Sequence, residues 1–172
     1  MLHDWSEFYL LAGSAAAVLI GLVFVVVTLM QDRPRSSVLN GSKLYMGPVV
    51  LHMSFVLVLS GAALVPHIDD RQFATVAAIA ALWGFGRGVF STVGLVRLWT
   101  PSNEVHWTDI WYYGVIPSGL YVAMGVVSLG FWVDAAWAAD AIAAVVAGLI
   151  LLSIRDEYDL VTWLAPKSDD EN

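Results

Sequence analysis

The run FYLLAGSAAAVLIGLVFVVVTLM, residues 8–30, decides the fold class of this chain. It contains no charged residue, and roughly 20 apolar residues in a helix are enough to span the ~30 Å hydrocarbon core of a bilayer. Asp4 and Glu7 precede it where a signal peptide would carry basic residues, and the run is longer than the apolar segment of a signal peptide. We therefore expect a retained helix that crosses a membrane.

Four further apolar runs follow, separated by short polar connections. A transmembrane β-barrel would show short segments of alternating polarity, whereas these runs are continuous in Ala, Val and Leu. Backbone inside a bilayer must satisfy its own hydrogen bonds, so such runs form helices. The sequence predicts an all-α fold, a polytopic transmembrane helix bundle over residues 1–154, with a cytoplasmic amphipathic extension and acidic tail over residues 155–172. The expected spans, about five in number, are residues 8–30, 46–67, 72–98, 109–133 and 135–154.

The composition argues against several classes of function. Hydrophobic residues make up 59% of the 172 residues and charged residues only 13%, which is too little charge to cover a soluble domain. The net charge of −7 lacks the basic surface that nucleic acids require. The chain has no cysteine, which excludes disulfides and thiolate metal sites. Metalloprotease, phosphate-loop and serine-hydrolase motifs are also missing from the sequence, so we expect neither an enzyme nor a nucleic-acid partner.

The distribution of Lys and Arg predicts the orientation, because cytoplasmic loops carry an excess of both residues. With the N-terminus outside, Arg71 alone lies in an outer connection and Arg87 lies within a span. We therefore predict an outer N-terminus and a cytoplasmic C-terminus. The six basic residues then placed on the inner side are Arg33, Arg35, Lys43, Arg97, Arg155 and Lys167.

The first run also resembles the opening helix of small bacterial multi-spanning membrane proteins. The likeness covers about residues 1–30 and rests on the Gly, Ala, Val and Leu pattern quoted above. It implies a multi-pass protein of the bacterial cytoplasmic membrane. It implies no particular activity, cofactor or site residue.

Small residues predict which helices pack closely, since in lipid they let backbones approach. The third run carries Gly84 and Gly88, and Gly114, Ser118 and Tyr121 share one face of the fourth run. We expect close helix packing at these positions.

Arg87 lies near the middle of the third run, where a charge costs a few kcal/mol unless it finds partners. Its helical face carries Gly84 and Ser91, so we expect the side chain to be buried and to point into the bundle. Tyr121 and Ser118 lie at a similar depth, and Pro117 leaves a carbonyl without its helical donor. We expect these groups to hold Arg87, either as a structural staple or as a functional site.

Asp140 and His52 are the other polar residues expected within spans. The sequence places Asp140 about two turns below the outer end of the fifth run, with Ser128 at a similar depth as a hydrogen-bond donor. The Asp140 carboxyl is interpreted either as a proton site or as a protonated or water-bonded group near the interface. A packing role is favoured for His52. No second histidine faces it to hold a haem, so no cofactor is expected.

An outer cluster of nitrogen and oxygen ligands matches no established metal-site spacing, so no metal is expected. The cluster comprises His3, Asp4, Glu7, His67, Asp69 and Asp70.

Three classes of function remain open. In the first, the bundle transports a small ion or solute, with Arg87 and Tyr121 as a gate or anion contact and Asp140 as a titrating site. In the second, the same residues are staples, and the chain is an accessory or scaffold subunit that associates with a partner subunit. In the third, it is an intramembrane enzyme or redox carrier. The expected partners are the lipid bilayer and either a second copy of the chain or another membrane subunit.

Overall fold

The computed structural model describes residues 2–29, 47–98 and 107–164. Within these ranges the fold is helical, with 92% helix and no strand, and the all-α prediction is confirmed. A 3-10 turn at Leu2–Trp5 leads into the first helix. The five helices are α1 (Ser6–Leu29), α2 (Gly47–Ala63), α3 (Asp70–Leu98), α4 (residues 107–132, comprising Trp107–Ile110, Trp111–Val115 and Ile116–Trp132) and α5 (Ala138–Leu164).

Four of these helices are long and apolar enough to cross a membrane, which indicates a membrane-embedded protein. The qualifying segments are Leu2–Val26, Asp70–Arg97, Trp111–Trp132 and Ala138–Asp159. The described part of α2 is apolar but has 17 residues, fewer than the roughly 20 that a perpendicular span needs. Among the described residues, four helices could therefore span a membrane by length and composition, whereas the sequence predicted about five spans.

Small residues set the closest helix contacts, as expected. On α3, a Cβ at Gly84 would overlap the ring of Tyr121, and a Cβ at Gly88 would overlap the hydroxyl of Ser118. At the next turn the glycine lies on α4 instead, and a Cβ at Gly114 would overlap the side chain of Thr92 on α3. Helices α3 and α4 therefore run antiparallel in close backbone contact, and the close packing predicted at these small residues is observed.

Helices α1 and α2 form a second antiparallel pair, and α5 packs against α1, α2 and α4. A Cβ at Gly13 of α1 would lie 3.0 Å from the Cβ of Ser60, near the far end of α2. The core of the bundle consists mainly of apolar side chains, with His52, Ser60, Ser128, Ser153 and Asp156 as its buried polar members. Its fully buried members include Tyr9, Met53, Leu59, Phe73, Met124, Phe131 and Leu149.

The last helix differs from the expected span over residues 135–154. It begins at Ala138, after a turn in which Asp134 has a φ of 54°, and continues unbroken to Leu164. The expected surface extension after residue 154 is thus a continuation of the same helix as far as residue 164. The remaining acidic tail and the expected inner residues Arg33, Arg35, Lys43 and Lys167 lie outside the described residues.

Candidate functional site

A narrow recess opens on the flank of the bundle where α2, α3 and α4 meet. It has room for about one water-sized group at most. The turns that form it are held together by the small-residue contacts of α3 and α4. Its lining residues are Pro48, Leu51, His52, Gly84, Arg87, Gly88, Ser91, Tyr113 and Pro117.

His52 is deeply buried in the wall of the recess, being 3% exposed. Its Nδ1 lies 2.6 Å from the hydroxyl of Tyr121, and its Nε2 has no hydrogen-bond partner. Tyr121 is itself 1% exposed, and its ring is packed edge-on against Phe55, with the ring centroids 5.8 Å apart. The sequence placed both residues in spans, but it did not predict this contact between α2 and α4.

The hydrogen-bond geometry favours one tautomer of His52. Buried polar groups are usually paired, and the O–H of Tyr121 is satisfied when it donates to Nδ1 of His52, 2.6 Å away. The neutral imidazole then carries its hydrogen on Nε2. His52 therefore presents an N–H donor that is buried and unpaired.

Arg87 is exposed on the flank of α3, so the prediction that it is buried and points into the bundle is wrong. The buried stripe of α3 passes through Gly84 and Gly88, and Arg87 lies one residue, a rotation of 100°, from Gly88. Its guanidinium lies beside the first turn of α2, with Nη2 3.6 Å from the position of a Cβ on Gly47. The guanidinium carbon is 5.7 Å from the centre of the Phe90 ring.

The expected partners of Arg87 are engaged elsewhere. The Tyr121 hydroxyl bonds His52, and the Ser118 hydroxyl donates to the carbonyl of Gly114. In the part of the chain that the structure describes, the ion pairs join Arg155 to Asp156 and Asp159, and no carboxylate pairs with Arg87. The staple predicted between Arg87 and these groups is therefore wrong.

A π-helical turn at Trp111–Val115 forms the wall of the recess contributed by α4. Pro117 follows it and has no N–H to continue the helical ladder, and the N–H of Ile116 donates to the carbonyl of Trp111 in the wider i to i−5 pattern. Such turns occur often at functional sites. This one directs Tyr113 and Gly114 toward α3.

Donor groups dominate the electrostatics of the recess. Arg87 supplies a permanent positive charge with several N–H donors, and the assigned tautomer of His52 adds a buried N–H. Pro48, Leu51 and the two glycines of α3 contribute apolar surface. Groups of this kind complement an anionic oxygen and repel a cation.

Asp140 does not belong to this site, and its predicted position about two turns inside the last span is wrong. Because α5 begins at Ala138, Asp140 lies in the first helical turn and is exposed, where the helix dipole favours a carboxylate. The hydroxyl of Ser128 is buried but donates to the carbonyl of Met124, four residues earlier on the same helix. The predicted Ser128–Asp140 hydrogen bond is therefore wrong.

The end of the bundle where α1 begins, which the sequence predicts to be the outer end, contains a wider cleft of about 550 Å³. It brings His3 of the N-terminal turn near His67 and Asp70 of the α2–α3 connection. Across residues 2–29, 47–98 and 107–164, no group of three or more His, Asp or Glu side chains is arranged to hold a metal ion.

A polar cluster at the other end of α5 was not predicted. Arg155 lies 2.8 Å from Asp159 and 3.2 Å from Asp156, and its guanidinium carbon is 3.3 Å from the centre of the Tyr112 ring. Asp156 is 1% exposed, and its Oδ2 has no hydrogen-bond partner. The sequence pattern that could have revealed this cluster is the spacing of Leu149, Ser153 and Asp156 by four and three residues. This spacing continues the buried face of the helix past residue 154, the expected end of the span.

Comparison with protein-family models, with curated proteins and with solved structures finds no match to this chain. Its function therefore has to be inferred from the residues of the site.

Proposed function

We propose that this chain is a membrane transport protein that binds an anionic group at the Arg87–His52 recess. The observation that carries the proposal is the unpartnered Nε2 of His52, in a side chain only 3% exposed. A buried donor left without an acceptor costs about 1–3 kcal/mol. A ligand oxygen that accepts from Nε2–H removes this cost, and Arg87 at the same recess compensates the negative charge of that oxygen.

The position of the recess supports binding from the side rather than through an axial channel. Met53, Val56, Leu59, Met124 and Leu149 are completely buried at the centre of the bundle. The Arg87 donor of the recess, in contrast, is exposed on the flank of α3, beside the buried His52 of α2. The anionic group would therefore reach the protein laterally.

The proposal includes a topology and a location. The chain crosses a bacterial cytoplasmic membrane five times, with an outer N-terminus and a cytoplasmic C-terminus. The antiparallel pairing of α1 and α2 supports α2 as the fifth span. The outer cleft is lined by Leu2 and Ser6 from the start of α1 and by Ala63 from the end of α2, so α2 returns the chain to the end of the bundle where it began. The excess of Lys and Arg on the other side supports the orientation.

Single-cysteine labelling tests this topology without background, because the chain has no cysteine of its own. Val133 is 74% exposed in the α4–α5 connection, and Ser102 lies in the α3–α4 connection. We expect a membrane-impermeant maleimide to label Val133→Cys in intact spheroplasts and Ser102→Cys only after permeabilisation. The opposite pattern would reverse the proposed orientation, and labelling of both variants from one side would contradict a crossing by α4.

A panel of probes that differ in charge tests the anion site. We expect decyl phosphate or inorganic phosphate, or both, to raise the unfolding temperature of the delipidated protein in dodecyl maltoside, because a ligand that binds the folded state stabilises it. Decyltrimethylammonium and decanol should have little effect. Arg87→Gln should abolish the increase produced by the anionic probe.

Arg71→Gln is the matched control, since Arg71 is exposed on the same helix but contacts Trp132, 5.9 Å from the ring centre, at the other end. It should retain the response to anionic probes. Equal stabilisation by the cationic probe, or an unchanged response in Arg87→Gln, would contradict the proposal. The alternative of an accessory subunit would then be favoured.

A further inference from the structure

We infer that the anionic group is the phosphate of a membrane lipid in the inner leaflet, which Arg87 and His52 hold at the flank of α3. This inference rests on the proposed anion site and adds the class of its occupant. Three features of the recess support it: its size, its surroundings and its depth.

The size of the recess admits part of an anion and excludes the rest. Since it has room for about one water-sized group at most, the recess admits a single phosphate oxygen beside His52, and the proposed bond to Nε2 requires that oxygen to displace the side chains that cover this buried atom. The other phosphate oxygens and their substituents remain outside, beside the guanidinium of Arg87. The site therefore suits an anion whose remaining bulk is bound by the surface around the opening.

That surrounding surface is apolar. Phe85 and Val89 are each 41% exposed and Phe90 is 72% exposed along the flank of α3 beside Arg87. Such a surface offers an inorganic anion no contact beyond the recess, but hydrocarbon chains pack against it. A phosphate attached to acyl chains engages both the donors and this apolar flank.

The depth of Arg87 matches the headgroup region. The charged pair Asp70 and Arg71 begins α3, and Arg87 lies 17 residues farther along, or about 26 Å. A hydrocarbon core of ~30 Å that starts near Asp70 ends within a turn of Arg87. A long basic side chain readily extends over the remaining distance. Arg87 is thus near the middle of its helix but near the inner boundary of the bilayer.

Lipid titration followed by native mass spectrometry tests the inference on the full-length protein. The probes are dioleoyl phosphatidylglycerol, dioleoylglycerol and inorganic phosphate, each added to delipidated protein in detergent. We expect one phosphatidylglycerol to bind preferentially, with affinity reduced about tenfold or more in Arg87→Gln. Arg71→Gln should bind within about twofold of the unmodified chain, because its charge lies at the outer end. Dioleoylglycerol, which has no phosphate, should bind weakly.

The outcomes separate this inference from the proposed function. Arg87-dependent binding of inorganic phosphate at concentrations similar to those of phosphatidylglycerol would overturn the lipid assignment and leave the anion site in place. Equal binding of dioleoylglycerol and phosphatidylglycerol would show that the phosphate is not recognised, which also overturns the inference. If Arg87→Gln binds phosphatidylglycerol as tightly as the unmodified chain while the smaller anionic probes still depend on Arg87, the lipid lies elsewhere and the inference fails alone.

Discussion

Replacement of Gly84 by Ala is expected to destabilise the protein by roughly 1–3 kcal/mol, the usual cost of inserting a methyl group into a closely packed contact. The new Cβ would overlap the ring of Tyr121. That ring cannot move aside freely, because its hydroxyl bonds His52 and its edge packs against Phe55. Relief of the overlap therefore requires α3 and α4 to separate or the buried hydrogen bond to break.

Gly86→Ala is the matched control on the same helix. A Cβ at Gly86 meets no atom within 4 Å, and alanine favours a helix by about 1 kcal/mol relative to glycine. We expect this variant to be as stable as the original chain or slightly more stable. The free energy of unfolding of both variants can be measured by titration with sodium dodecyl sulfate in mixed micelles. Equal losses in the two variants would mean that the contact between α3 and α4 is not as close as described.

Replacement of Tyr121 by Phe is expected to cost roughly 1–3 kcal/mol, because it leaves Nδ1 of His52 buried without its donor. It should also weaken binding of the anionic probe, since His52 is no longer held in the tautomer that presents Nε2–H to the recess. The change removes one oxygen atom and preserves the ring packing. The same unfolding titration and the probe-induced increase in unfolding temperature measure the two effects.

Tyr9→Phe separates the loss of a hydrogen bond from the loss of a buried hydroxyl. Tyr9 is also completely buried, but its hydroxyl has no hydrogen-bond partner, so its removal should be neutral or stabilising. The anionic probe should act normally on this variant. Similar losses of stability in Tyr9→Phe and Tyr121→Phe would contradict the importance of the His52–Tyr121 bond.

The helical fold was largely predictable because lipid imposes strict rules on sequence. Long uncharged runs must form helices, and small residues at four-residue spacing identify close neighbours. Gly84, Gly88 and Gly114 accordingly marked positions of close packing, and the structure shows that these positions join α3 to α4. The orientation of the bundle and its transport role remain predictions, since they depend on a membrane and a solute rather than on the fold alone.

The site was less predictable because it depends on small rotations and on contacts between distant segments. The helical face that carries Gly84 and Ser91 suggested an inward Arg87, but the buried stripe passes through Gly88, one residue away. The depth of Arg87 in the bilayer was also misjudged from its position near the middle of the helix. Helix α3 has 29 residues and is longer than a hydrocarbon core is thick. The bond between His52 and Tyr121 joins residues 69 positions apart, and no local pattern indicates such a pair.

The last helix illustrates how charge can obscure a boundary. Arg155 and Asp156 suggested that the final span ends at residue 154, yet α5 continues to Leu164 with Asp156 buried. The interaction of Arg155 with Asp159 and with the ring of Tyr112 accounts for the charge without interrupting the helix. Asp140 was assigned too great a depth for the related reason that the start of α5 was placed three residues early.

Binding of a phosphate oxygen by His52 can be measured most directly by rotational-echo NMR between ³¹P and the imidazole nitrogens of ¹⁵N-histidine-labelled protein in phosphatidylglycerol bilayers. His52→Asn identifies the His52 signals among the four histidines. We predict a protonated Nε2 and an unprotonated Nδ1 at His52, with strong ³¹P dephasing of Nε2 that disappears in Arg87→Gln. A His52 Nε2 that is undephased by phosphorus in the unmodified protein, or dephased equally without Arg87, would contradict the account.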